Sequence, residues 1–153
     1  MDPITLAGDL FLNGYNCAQA VAVAFSDVTG MDQQTAAKLA APFGGGMGRM
    51  REVCGAVSGM YMVLGLLYGY ENSDADSKKK ELYQQVQQLA EKFREENGSI
   101  ICRELLENPP SDPNPSPRTA EYYRRRPCAR MVMTAARLME EFIAAHPLEN
   151  ENG

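Results

Sequence analysis

Residues 52–69 read EVCGAVSGMYMVLGLLYG, and the segment Ala56 to Tyr70 is the most apolar in the chain. Ser58, Gly59 and Gly65 interrupt it, and it falls short of the roughly 20 apolar residues that span a bilayer. It therefore reads as a core helix starting near Glu52 and ending at Gly69, with Cys54 in its first turn. Gly55 and Gly59 are four residues apart, so one face lacks side chains and another backbone can approach closely. A helix of this kind needs other helices around it.

The flanking sequence supplies them. Pro3 to Leu12 reads as a first helix, with Pro3 in its opening turn and Asn13-Gly14 ending it. A second starts at the N-cap Asn16, and Cys17, Val21, Ala24, Phe25 and Val28 share its apolar face. Asp32 caps a third, which Pro42 stops near Ala41. Beyond the central helix, Asn72-Ser73-Asp74 starts a long exposed helix striped by Leu82, Val86, Leu89 and Phe93, with Asn97-Gly98 at its end. Ser99 caps a short helix carrying Cys102, Leu105 and Leu106. Asn108 to Pro117 holds five prolines in ten residues, which excludes regular helix and predicts an extended surface excursion. Pro127 suits the first position of a last helix, with Cys128 in phase with Met131, Val132, Ala135, Met139, Phe142 and Ile143; Pro147 closes it. No alternating run is long enough for a strand. The expected fold is all-α, a single domain over residues 1–153 formed as a bundle of about six to eight helices.

The 153 residues carry 44% hydrophobic and 23% charged side chains, enough for one cored domain. A net charge of -5 argues against nucleic acid as a partner, because phosphate backbones reward a basic face. A membrane surface is disfavoured for the same reason. The start Met1-Asp2-Pro3 has no apolar signal region behind it, which predicts a cytoplasmic protein without membrane insertion. In a reducing cytosol, four cysteines suggest metal binding or transient redox work before a structural disulfide framework.

Cys17, Cys54, Cys102 and Cys128 each fall at a predicted helix start. Unpaired N–H groups and the positive end of the helix dipole favour a thiolate there, for metal binding or nucleophilic attack. Arginine follows the same positions: Arg49 and Arg51 precede Cys54, Arg103 adjoins Cys102, and Arg124, Arg125, Arg126 and Arg130 flank Cys128. Cations lower a thiol pKa, so this placement reinforces the helix-start argument. A single free cysteine is ordinarily a small buried hydrophobe, and an arginine run is ordinarily a solvated face. Four cysteines sharing one placement outweigh the first account.

The spacings match no zinc ribbon, ferredoxin or thioredoxin motif. The loop Phe43-Gly44-Gly45-Gly46-Met47-Gly48 lacks the Gly-Lys-Ser/Thr ending and the preceding strand of a phosphate loop. It reads as a flexible hinge or as a backbone wall beside a cluster or substrate at Cys54. Gly44, Gly45, Gly46, Gly48, Gly55 and Gly59 are the candidate cofactor-contacting glycines. Met60, Met62, Met131, Met133 and Met139 are expected to fill the core. His146, the only histidine, sits at a helix end, and one histidine is too few for a His-rich zinc site.

At Asn16-Cys17-Ala18-Gln19-Ala20, Phe43-Gly44-Gly45-Gly46-Met47-Gly48 and Cys54-Gly55-Ala56-Val57-Ser58-Gly59, with single cysteines at 102 and 128, the chain resembles the C_GCAxxG_C_C family of redox proteins. The resemblance spans most of the chain. It implies a small cytoplasmic redox protein, an oxidoreductase or electron-transfer protein often associated with transporter loci, in which Cys17, Cys54, Cys102 and Cys128 are the four family cysteines.

Two chemistries compete at four converging thiols. In the favoured one they ligate an iron–sulfur cluster or another thiophilic metal such as zinc, because four like charges need a cation in a dry pocket. In the alternative, thiols pair and unpair as disulfides with Cys54 as the attacking thiolate. A third reading, from another class, is a non-redox helical module holding a small anionic ligand or a partner. The redox partner is unknown, and the charged fifth helix would suit a homodimer interface.

Overall fold

The computed structural model describes residues 1–107 and 109–148, with the side chains of Arg124 and Arg125 outside the description. It is all-α, with no sheet among the described residues. The elements are α1 (Pro3–Leu12), α2 (Cys17–Ala24), α3 (Ser26–Thr29), α4 (Gln33–Ala40), a 3-10 turn (Ala41–Phe43), α5 (Gly44–Met47), α6 (Gly55–Tyr68), α7 (Asp76–Asn97), α8 (Cys102–Leu105), α9 (Ala120–Arg125) and α10 (Cys128–Ala145).

Local chemistry sets the starts that matter. Asp2 accepts the Thr5 N–H at 2.9 Å and Pro3 occupies the first turn of α1. Asn16 and Gln19 form a reciprocal capping box at α2, which fixes Cys17 as its first residue. Asn16 also donates to the Ala41 carbonyl at 3.1 Å, tying the start of α2 to the turn before α5.

The centre is the α2–α6 pair, flanked by α1 and α10, with α7 lying across α6 and α10. Phe11, Phe25, Met60, Leu64, Leu89, Phe93 and Met139 are fully buried between them. A Cβ at Gly59 would stand 2.7 Å from the Ala18 carbonyl oxygen, so the bare face of α6 does let another backbone approach. The long-helix stripe faces inward as expected, with Leu89 and Phe93 buried.

Several expectations are corrected. The second helix breaks at Phe25, and α3 turns Val28 out to 42% exposure. The third helix does end where expected, at Ala40 just before Pro42, and a short 3-10 turn carries the chain on through Phe43. The central helix starts at Gly55 instead of near Glu52, since the preceding residues pair with the stretch before α8. Val53 bridges Ile101, the Cys54 N–H donates to the Ile100 carbonyl at 2.8 Å, and the Cys102 N–H donates to the Glu52 carbonyl at 2.6 Å. Met133 is 41% exposed instead of filling the core, although its side chain lies over Gly8.

The glycine loop departs furthest from a flexible hinge. Gly45, Gly46, Met47, Gly48 and Arg49 all have positive φ, from 60° to 70°, and Arg51 follows at 63°. This left-handed winding is hydrogen-bonded: Arg49 N–H donates to Gly44, Arg51 N–H to Gly45 and Glu52 N–H to Gly46. Left-handed helical backbone disfavours L residues by roughly 1–2 kcal/mol each, which is why three glycines sit within it.

Candidate functional site: a cysteine cluster under an arginine-lined cavity

All four cysteines stand at helix starts. Cys17, Cys102 and Cys128 are the first residues of α2, α8 and α10, and Cys54 immediately precedes α6. All four are free thiols, with Cys54 and Cys102 buried and Cys17 and Cys128 half-buried. The fold gathers them. Cys17 feels the charge of Cys128, Cys54 and Cys102, and each of those latter two feels Cys128. Close backbone approach brings them in: a Cβ on Gly55 would lie 3.2 Å from the Cys17 Cβ, and one on Gly46 would lie 2.7 Å from the Cys102 Cβ.

The thiols are not equivalent. Interaction with the Cys128 sulfur holds Cys17 well above the ordinary thiol range, with burial adding to the effect. The same interaction draws Cys128 down to about 7 against the opposition of burial, and the guanidinium groups of Arg126, Arg118 and Arg51 assist. One proton shared by two sulfurs leaves one of them a thiolate near neutral pH. Burial pushes Cys54 up to about 12, and the amides of Ala56 and Val57 at the start of α6 offset only part of that. Burial also raises Cys102, opposed by Arg51, whose Nη1 lies 3.7 Å from its sulfur.

The arginines sort differently from their sequence proximity. Arg51, three residues before Cys54, reaches Cys102 and the Pro110 carbonyl, the latter at 2.9 Å. It is only 4% exposed, and its Nη2 has no hydrogen-bond partner. Arg49 donates to the Asp112 carbonyl and the Ser116 hydroxyl, each at 2.9 Å. Arg103 pairs with Glu52 on the surface, and Arg130 is exposed away from the thiols. Arg124 and Arg125 lie where no side chain is described.

Arg118 escaped the sequence reading because it is ten residues from Cys128, at the end of the proline-rich segment. It donates to the Phe11 and Tyr15 carbonyls and lies over the rings of Phe11, Tyr122 and Tyr123. Only its position after a proline run, facing two tyrosines four and five residues on, hinted at such stacking. With Arg49 and Arg51 it straps residues 109–117 over the left-handed turn. The proline-rich excursion is thus exposed but tied to the site.

A cavity of about 380 Å³ opens beneath this strap. Arg49, Arg51, Arg118 and Arg126 line it with Tyr122 and Asn16. Of the six candidate glycines, Gly44, Gly45 and Gly48 line the cavity, whereas Gly46, Gly55 and Gly59 serve close backbone packing.

Comparison with protein-family models matches residues 15–142 to "Putative redox-active protein (C_GCAxxG_C_C)". The chain belongs to this family. No curated protein and no solved structure matches it. The matched region contains all four cysteines and the lining of the arginine cavity. Among the described residues, no helix is long and apolar enough to cross a membrane. Nor do three or more Cys, His, Asp or Glu side chains there form a group arranged to hold a metal.

Proposed function

We propose that this member of the redox family is a thiol–disulfide redox protein in which Cys128 attacks and Cys17 resolves. The Cys17–Cys128 pair carries the reading. An attacking thiol works best with a pKa near the ambient pH, where thiolate population and nucleophilicity are both useful. Cys128, at about 7, meets that condition. Cys17 is the thiol coupled most strongly to Cys128, so it is the one we assign to attack a mixed disulfide formed there.

Cys54 suits the attacking role poorly, because burial keeps it protonated. Cys102, raised by burial, accepts from Arg51 as a neutral thiol and suits the attacking role no better. The iron–sulfur or zinc alternative finds a poor fit here. The described donors form no metal-holding group, and a guanidinium bonded to the Cys102 sulfur repels a metal ion at the same atom.

The test is mild oxidation of the reduced protein, proteolysis without reductant, and mass spectrometry of the linked peptides. A Cys17–Cys128 disulfide is expected, retained in Cys54→Ser and Cys102→Ser and lost in Cys17→Ser and Cys128→Ser. A different pairing, or stoichiometric iron or zinc in anaerobically purified protein, overturns the reading.

A further inference from the structure

The cavity beneath the proline strap holds more positive charge than the protein supplies anions to balance. Among the described residues, Arg51, Arg118 and Arg126 have no carboxylate partner, and no acidic side chain lines the cavity. Asp112 lies beside Arg49 and offsets that charge alone. Arg51 is the sharpest case: a guanidinium 4% exposed with one nitrogen left without an acceptor. A buried donor without a partner disfavours the folded state by roughly 1–3 kcal/mol, more where the group is charged. The arrangement is one that an incoming acceptor completes.

The same three guanidinium groups are the ones that favour the Cys128 thiolate. The cavity and the thiol pair are therefore neighbouring parts of one positive field. Tyr122, on the cavity wall, feels both Cys128 and Cys17. Cys128 is not itself a lining residue, but three of the guanidinium groups that line the cavity are those whose charge acts on its sulfur.

From this juxtaposition we infer that the cavity binds a small, carboxylate-bearing disulfide and presents its sulfur–sulfur bond to Cys128. The inference rests on the dithiol reading above and names its substrate class. Three features select it. Guanidinium forks match carboxylates in two-point geometry, and Arg118 is already held rigid by two carbonyls and three rings. A volume of about 380 Å³ lies in the small-molecule range and is too small to admit the folded surface of a protein. The sulfur comes from the adjoining chemistry, since a dithiol exchanges electrons most directly with a disulfide.

The Cys128 thiolate attacks one sulfur of R–S–S–R, the S–S bond breaks, and R–S⁻ leaves and takes up a proton. Cys17 gives up its proton to the leaving thiolate or to water and attacks the Cys128 sulfur. This forms the Cys17–Cys128 bond and expels the second R–S⁻. Two protein thiols are oxidised to one disulfide, and one small disulfide is reduced to two thiols. The reverse reaction, with two molecules of the anionic thiol, restores the protein.

The test compares three disulfides on the fully reduced full-length protein: oxidised glutathione, which is anionic, hydroxyethyl disulfide, which is neutral, and cystamine, which is cationic. Oxidised glutathione is expected to form the Cys17–Cys128 bond at least about 10-fold faster than hydroxyethyl disulfide, with cystamine slowest; high salt should compress the series. Arg49→Gln and Arg118→Gln should shrink the glutathione-to-cystamine rate ratio several-fold. The ratio, unlike the absolute rate, is insensitive to any change in Cys128 itself. Titration calorimetry of oxidised glutathione into the Cys17→Ser/Cys128→Ser protein supplies a second readout that does not depend on reaction. Saturable binding weakened by Arg118→Gln supports the cavity. Equal rates for all three reagents, with the Cys17–Cys128 bond still forming, overturn the substrate inference and leave the dithiol reading standing. If no such bond forms with any reagent, the dithiol reading fails, and absence of binding in calorimetry then removes the cavity assignment as well.

Discussion

Cys128 and Cys54 share a type, a helix start and a cluster, yet they diverge by several pKa units because one shares a proton among cations while the other is walled in by apolar side chains. Alkylation by iodoacetamide, read by mass spectrometry, should label Cys128 with a half-maximal rate near pH 7 and leave Cys54 unlabelled up to strongly alkaline pH. Arg126→Gln removes a nearby positive charge, so the Cys128 midpoint should move upward; an unchanged midpoint would show that Arg126 does not act on the thiol. Linkage sets the sign for stability. Cys54 is held protonated in the folded state, so its contribution is fully present below its ordinary value of 9.0 and is lost as pH rises toward about 12. The urea midpoint should therefore fall between pH 9 and pH 11, and Cys54→Ala should flatten that fall.

At the scale of elements, the left-handed turn governs how the site is assembled. Gly46 is buried at its centre with φ of 70°, and a Cβ there would meet the Glu52 nitrogen at 2.8 Å and the Arg51 Cα at 2.9 Å. Neither is a flexible side-chain end, so Gly46→Ala should destabilise the protein by roughly 2–4 kcal/mol in denaturant melts, combining left-handed strain with overpacking. Met47 has φ of 67° but is 37% exposed, so Met47→Gly should release strain without losing core and stabilise by about 1 kcal/mol. Opposite signs at adjacent positions separate backbone strain from packing; destabilisation by both would refute the account.

This turn also marks where the sequence ceased to be legible. The helix starts at Asn16-Cys17 and Pro127-Cys128 were readable because capping and first-turn preferences act within a few residues. Four glycines in five positions signal unusual backbone but not its hand, nor that hydrogen bonds would order it. That Arg51 turns to Cys102 instead of Cys54 depends on the Val53–Ile101 bridge, a contact between residues 48 apart. Arg118 reaches the site only through the strap, and no local pattern encodes where a proline-rich segment lands.

For the molecule as a whole, the two cysteines assigned to the redox step join opposite ends of the chain: Cys17 opens α2 and Cys128 opens α10, with α2 and α10 already packed together. A bond between them closes a loop of about 110 residues, and by chain-entropy reasoning a loop of that size stabilises by roughly 4–5 kcal/mol through restriction of the unfolded chain. For a domain of this length that is a rise in melting temperature of roughly 10 °C or more. The gain is offset in part if oxidation disturbs the field of Arg51, Arg118 and Arg126, which lose the thiolate they surround. Calorimetry of oxidised and reduced protein should therefore show the oxidised form melting higher, with the difference abolished in Cys17→Ser and kept in Cys102→Ser. Binding of an anionic disulfide or its thiol to the arginine cavity should restore part of the lost charge balance and raise the oxidised melting temperature further, an increment that Arg118→Gln removes. An oxidised form no more stable than the reduced one would mean that the bond strains the packed ends of α2 and α10 by as much as it restricts the unfolded chain.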